Sequence, residues 1–193
     1  MTELFIKYLK GHVGDIYVWG AQGETNITEK WIRRRETGEK NAERAIALWE
    51  KRKAEGRSPI AAFDCSGLIV KFLLDNKLIK SDMSSRGLYS ACEKLNDRSQ
   101  LAPGDLLFRH NGKRIHHVGA YIGCGLVIEA MGRDDGVVLN CLDSNGAGYW
   151  NRYGRLPVLK DSGEAAEVPE CCKGECPCRQ LMKEILKGEN NEQ

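Results

Sequence analysis

The spacing of apolar and polar positions divides the chain into two stretches of different period. Residues 3–10, Glu-Leu-Phe-Ile-Lys-Tyr-Leu-Lys, carry apolar side chains at helical intervals and stop at Gly11. A short aromatic segment, Tyr17-Val18-Trp19-Gly20, follows. Residues 28–55 are dominated by Glu, Lys, Arg and Ala, with Trp31, Ile32, Ile46, Leu48 and Trp49 as the apolar points. They predict one or two exposed helices broken near Thr37-Gly38, with the charge run read as a solvated face. Asp64 suits the N-cap of a helix from Cys65 to about Asn76, whose buried stripe is Leu68, Ile69, Phe72 and Leu73. Another helix is expected over Ser85–Leu95. After Pro103-Gly104 the period shortens. Leu106–Phe108, Val118–Ile122, Val127–Ala130, Val137–Leu142 and Leu156–Leu159 are short apolar runs between glycine-rich turns, the pattern of an antiparallel sheet. Helices first and strands after give an α+β class rather than alternating βαβ units.

The domain plan follows from composition. Residues 1–160 are expected to form one domain, with a helical insert at about 24–60. From Asp161 the chain turns to Ser, Gly, Glu, Ala and Pro, which reads as a linker. A cysteine-rich tail comes next, then a short amphipathic helix over Arg179–Lys187, all within 161–193.

A formal net charge of +2 argues for neither nucleic acid nor an anionic membrane as partner. No stretch is long and apolar enough for a membrane span. The first ten residues lack the basic start, apolar run and cleavage site of a secretory signal, so synthesis in a reducing cytosol is expected. There are eight cysteines. Cys92, Cys124 and Cys141 lie among apolar or small residues and read as buried thiols. Cys171, Cys172, Cys176 and Cys178 offer four sulfurs, but their spacing is not the paired CxxC of a zinc site. They form a weak metal candidate, and no metal or organic cofactor is expected.

Cys65 stands apart. A thiol at the first turn of a helix is a poised nucleophile, because the positive end of the helix dipole favours thiolate and unpaired N–H groups can meet an oxyanion. Gly67 leaves room for close approach at that turn. The bland alternative is a buried cysteine at the start of a core helix. A cysteine nucleophile needs a base, and histidine suits the role near neutral pH. His12, His110, His116 and His117 are the candidates, the last two opening the strand that runs to Ile122. A polar residue must then fix the base's tautomer. If Gly123-Cys124-Gly125 is a three-residue loop, Gly119 pairs with Glu129 and His117 lies diagonally across from Glu129 on one face. Such neighbours are roughly 7–8 Å apart. A two-residue turn would put them on opposite faces. Otherwise Glu129 is an edge or solvent-facing carboxylate.

Asp64-Cys65-Ser66-Gly67, Pro103-Gly104-Asp105-Leu106 and His117-Val118-Gly119-Ala120-Tyr121-Ile122-Gly123 resemble, in that order, the motifs of the NlpC/P60 cell-wall peptidases. Tyr17-Val18-Trp19-Gly20 is similar to that family's aromatic-glycine segment. Tyr149-Trp150-Asn151-Arg152 and a strand near Arg155 are similar to its closing segment. The likeness spans roughly residues 5–160. It implies a papain-like α+β fold, N-terminal helices on a central antiparallel sheet, with Cys65 as nucleophile, His117 as base and Glu129 as third polar residue. It also places Tyr17 beside the cysteine and lets Asp64 and Ser66 contact the substrate's amine end. The implied activity is hydrolysis of peptide bonds in peptidoglycan stem peptides. Two departures stand out: Glu129 occupies a position that is often histidine, and a long helical segment including Thr28–Glu55 separates Tyr17 from Asp64. The lack of a recognisable export signal or wall-binding repeat module suits a phage or mobile-element protein acting on the wall, a host-made intracellular enzyme, or a fragment of a larger system. A thiol-dependent amidase or acyltransferase of the same fold is the alternative chemistry. A non-catalytic wall-binding or phage-structural module is the alternative class. The sequence does not set the oligomeric state.

Overall fold

A computed structural model describes residues 1–146 and 148–160. The first helix, α1 (Thr2–Gly11), buries Phe5 and Leu9. Three short strands follow, β1 (Ile16–Tyr17), β2 (Gln22–Glu24) and β3 (Ala62–Phe63), in a small sheet of order β1-β3-β2. Helices α2 (Glu29–Arg35) and α3 (Glu39–Ala54) leave this sheet between β2 and β3. They form a core with it from Ile16, Val18, Ile32, Ala45, Ile46 and Ala62. The charged segment is therefore two helices, and the break falls at Glu36–Gly38, where Gly38 has φ +97°.

Next come α4 (Gly67–Asp75) and α5 (Ser85–Ala91). A six-stranded antiparallel sheet completes the fold, from β4 (Glu93–Leu95), β5 (Leu106–His110), β6 (Ile115–Gly123), β7 (Leu126–Gly132), β8 (Gly136–Cys141) and β9 (Arg152–Arg155). Its order is β4-β9-β5-β6-β7-β8. Phe5, Leu68, Leu73 and Leu88 pack against Phe108, Val118, Ala120 and Ile128 in the main core. Leu101, Leu107, Tyr121, Val127 and Trp150 form a smaller cluster. This is the expected α+β arrangement.

Three boundaries differ from expectation. The helix after Cys65 begins at Gly67, with Ser66 at the N-cap, so Cys65 precedes the first turn. Glu93–Leu95 is a strand against β9 rather than the tail of α5. The last strand is Arg152–Arg155, while Pro157–Leu159 is a 3₁₀ turn. The tail segments at 161–193 lie outside the described residues. Among the described residues, no helix is long and apolar enough to cross a membrane.

The β6–β7 hairpin decides which side chains share a face. Its turn holds two residues, Cys124 and Gly125, both at positive φ (+52° and +70°), as a tight hairpin of primed type requires. Gly123 therefore pairs with Leu126. A bulge between Tyr121 and Gly123 then shifts the register by one, restoring Ala120↔Ile128. Turn and bulge cancel, and the diagonal relation of His117 to Glu129 survives.

Gly67 is needed for a close approach. A Cβ there would sit 2.0 Å from the Ala21 carbonyl oxygen, which accepts the Asp64 N–H at 2.9 Å. Both partners are backbone, so neither yields cheaply. Gly67→Ala is expected to cost about 3 kcal/mol, measured by denaturant unfolding.

Candidate active site

Cys65 sits between β3 and α4, half-buried. Asp64 organises this turn. Its Oδ1 accepts from Gly67 N at 2.6 Å and from Ser66 Oγ at 3.1 Å, and its Oδ2 accepts from Gly20 N at 3.0 Å. The last bond ties the Tyr17–Gly20 loop to the cysteine turn. Tyr17 is buried there, and its hydroxyl is pushed up first by burial and then by the neighbouring Cys65 and Asp64. The structure thus brings Tyr17, Asp64, Cys65 and Ser66 together.

From the sheet side, the Val118 N–H faces the Cys65 thiol, as do the N–H groups of Ser66 and Cys65 itself. Val118 follows His117 in β6, so the imidazole belongs to the strand that borders the thiol. His117 is buried and His116 exposed, because successive residues of a strand face opposite ways. His12 is instead bonded to Asp15 at 2.7 Å, and His110 accepts from Gly112 N within an exposed turn. His117 Nε2 meets Glu129 Oε2 at 2.6 Å. Glu129 is 1% exposed, so the solvent-facing reading of this carboxylate does not hold.

Two further residues satisfy Glu129. Asn140 Nδ2 donates to Oε1 at 3.3 Å, and the Tyr149 hydroxyl donates to Oε2 at 3.4 Å. Trp150 stacks on the imidazole, with ring centroids 5.5 Å apart and planes 16° from parallel. Tyr149 and Trp150 belong to the closing segment picked out by resemblance. Asn140 had no signal, as it is one polar residue in an apolar strand.

Burial, followed by the Asp64 charge, pushes the Cys65 thiol up to about 12, against a smaller lowering by the three N–H groups. The expected advantage of a helix start is thus outweighed by burial and the Asp64 charge. A raised value means thiolate grows as pH rises. Removing the Asp64 charge therefore increases the thiolate fraction at any fixed neutral pH. Asp64→Asn is expected to speed iodoacetamide labelling of Cys65 several-fold. The same change should slow turnover of any substrate whose amine end Asp64 binds. Parallel labelling and turnover assays read these opposite signs.

Cys92 is buried and its thiol is also pushed up to about 12, mainly by burial. Cys141 is half-buried and free. Cys124, read as a buried thiol, is half-buried and disulfide-bonded. Among the described residues, no group of three or more His, Cys, Asp or Glu side chains is arranged to hold a metal. The tail candidates Cys171, Cys172, Cys176 and Cys178 lie outside those residues.

The NlpC/P60 family model matches residues 14–155. The chain belongs to the NlpC/P60 family. A Listeria grayi protein named probable endopeptidase p60 is 29% identical over 148 residues, which is 76% of this chain and 21% of that protein. The Bacillus subtilis bifunctional muramidase/DL-endopeptidase CwlT is 34% identical over 51% of this chain and 29% of its own length. The chain thus spans less than a third of either relative. Among solved structures, the P60 domain of a Mycobacterium avium subspecies paratuberculosis antigen shares the fold at a TM-score of 0.53 and 23% identity, over 83% of this chain and 96% of that one. RipD of Mycobacterium tuberculosis, described as a non-catalytic NlpC/p60 domain protein adapted to peptidoglycan binding, matches at 0.51 and 23% over 80% and 96%. The fold therefore supports both catalytic and non-catalytic members.

Proposed function

We propose that this NlpC/P60 protein is a cysteine endopeptidase that hydrolyses a peptide bond in peptidoglycan stem peptides. The supporting observation is the buried 2.6 Å bond between His117 and Glu129 on the strand whose Val118 N–H faces Cys65. A module that only binds the wall needs neither the thiol nor a buried, oriented imidazole. The names of the relatives, endopeptidase p60 and DL-endopeptidase, supply the substrate class.

The chemistry follows from the atoms present. Nε2 of His117 is committed to Glu129, which leaves Nδ1 to take the thiol proton. The Cys65 sulfur attacks the scissile carbonyl carbon as that proton moves. The N–H groups around the sulfur stabilise the negative oxygen that results. Collapse breaks the C–N bond, and the departing amine takes the proton from His117. Water then attacks the thioester, giving its proton to the same nitrogen, and a carboxylic acid leaves as Cys65 regains its proton. Glu129 holds the imidazole's orientation and faces the positive charge it gains. Asp64, with Ser66 bonded to it, is the acceptor for the substrate's amine end, beside Tyr17.

Mass spectrometry of muropeptides incubated with wild type and with Cys65→Ala tests this. New fragments from wild type alone establish the endopeptidase and identify the bond. Intact muropeptides with fast, selective labelling of Cys65 would favour the amidase or acyltransferase chemistry. Slow labelling, equal to that of Cys141, would favour a binding module.

A further inference from the structure

The Tyr17–Gly20 segment ends in a surface turn. Ala21 N donates to the Val18 carbonyl at 3.1 Å, with Trp19 and Gly20 at the central positions and Gly20 at φ +68°. β1 ends at Tyr17, so no sheet ladder holds these central residues. The central peptide groups of such a turn ordinarily face water, and Trp19 is 54% exposed. Here side chains take them instead. Glu36 Oε1 accepts the Trp19 N–H at 2.9 Å, Asp64 Oδ2 accepts the Gly20 N–H at 3.0 Å, and Arg35 Nη1 donates to the Gly20 carbonyl.

Arg35 and Glu36 are consecutive residues of the insert. Arg35 is the last residue of α2, and Glu36 is its C-cap, where the backbone leaves the helix for an extended conformation. Each is itself held. Arg35 lies over the Trp31 ring one helical turn back, 4.7 Å from its centroid, and pairs with Glu24 of β2. The Glu36 side chain is 0% exposed, and its Oε2 accepts Nε and Nη2 of Arg133, just past β7, each at 2.7 Å. Arg44 of α3 braces the helix pair on the same turn, its Nε donating to Asp134 Oδ1 at 2.7 Å. The two Gly20 bonds lie at the surface, where water could serve as partner, so they relieve no buried polar group. The Glu36 carboxylate, in turn, is costly to bury unless paired and hydrogen-bonded. What these bonds fix is position, and the loop they fix carries Tyr17, buried beside Cys65 and Asp64.

We propose that Arg35 and Glu36 of the insert are positioning residues: with Asp64 they pin the Trp19–Gly20 turn and so set where Tyr17 meets the substrate beside Cys65. The insert is thereby part of the binding apparatus, acting through the loop rather than on the reacting atoms. The proposal rests on the peptidase reading for the identity of the ligand, a stem peptide, and its test reads binding apart from cleavage.

The probe is a free stem tetrapeptide, with kcat and KM read on otherwise wild-type protein and Kd read by calorimetry in the Cys65→Ala background. Arg35→Ala is expected to raise KM and Kd about tenfold, while kcat and the rate of iodoacetamide labelling of Cys65 stay within about twofold. Glu36→Ala is expected to do the same, and Glu36→Gln, which keeps an acceptor for the Trp19 N–H, to restore most of the affinity. Should Glu36→Ala fail to fold, the partly exposed Arg35 still carries the test. A merely structural role would lower thermal stability and kcat together at unchanged KM and Kd. That result, or unchanged KM and Kd in folded Arg35→Ala, overturns the proposal. Peptide bound by Cys65→Ala but left intact by wild type, with Kd raised by Arg35→Ala, keeps the positioning role and removes the peptidase. Cleavage with KM and Kd indifferent to Arg35 does the reverse. Neither binding nor cleavage overturns both.

Discussion

Replacing Cys65 by alanine is expected to abolish release of peptide fragments from muropeptides while leaving the fold in place. The two halves of this expectation have separate causes. Without the sulfur there is no acyl-enzyme, and His117 has no proton to accept. Loss of a covalent nucleophile typically lowers turnover by at least about 10³-fold, and what remains comes from oriented N–H groups and substrate binding. The sulfur contributes little to packing. Cys65 is only half-buried, at the margin of the main core, and the turn around it is held by Asp64 through Gly67 N, Ser66 Oγ and Gly20 N. None of those bonds involves the thiol. Unfolding should shift by no more than about 1 kcal/mol. Turnover and thermal unfolding measured on one preparation check both halves. Activity surviving in Cys65→Ala would remove the cysteine from the mechanism.

The legible parts of this protein are those where one local rule decides the outcome. Short apolar runs between glycine-rich turns located β5 to β8, because a strand buried against helices has little other composition available. Residues of weak individual signal were harder, and the strand near Arg155 was expected by family resemblance and not from its own pattern. Arg152–Arg155 has an arginine at each end, yet it is an inner strand between β4 and β5. It is tolerated because Asp105, itself 2% exposed, takes Nε and Nη2 of Arg155 at 2.7 Å each. That pairing is a tertiary fact with no local trace. The neighbouring apolar run Leu156–Leu159 looked more like a strand, but Pro157 ends the ladder there.

The candidate site shows the same division. Cys65 and His117 stand out as a thiol just ahead of an apolar helix and a histidine just ahead of an apolar strand run, although α4 itself begins at Gly67 and β6 at Ile115. The link to Glu129 depended on hairpin register. The assumed three-residue loop is absent, and the outcome survives only because the two-residue turn is offset by a bulge near Ile122. Outside that site, the buried Glu36 was hidden inside a run of charges, where the usual meaning of such a run is a wet helix face. Most of that run is exposed. Glu36 is the exception because α2 ends there and turns its last side chain onto Trp19 N and Arg133.

Glu129→Gln is expected to slow turnover by roughly 10²-fold without stopping it, a smaller loss than the ~10⁴-fold that follows when an amide forces a catalytic histidine into the wrong tautomer. The difference lies in the surroundings of the carboxylate. Glu129 accepts three bonds, from His117 and Tyr149 at Oε2 and from Asn140 at Oε1. A glutamine can keep its carbonyl toward His117 and Tyr149 and turn its NH₂ toward Asn140. Asn140 can then answer by presenting its own carbonyl, so His117 retains an acceptor at Nε2 and its Nδ1 stays free for the thiol. What is lost is the negative charge facing the imidazolium during attack, which slows both formation and hydrolysis of the thioester. The substitution is isosteric, and Trp150 still stacks on the imidazole, so thermal stability should change little. Glu129→Ala removes the acceptor as well as the charge and should fall further, to about 10³-fold. Steady-state turnover of the two variants beside wild type, with Cys65 labelling as a check that the thiol is still accessible, gives the ordering. Full turnover in Glu129→Gln would show that the buried carboxylate serves the fold alone.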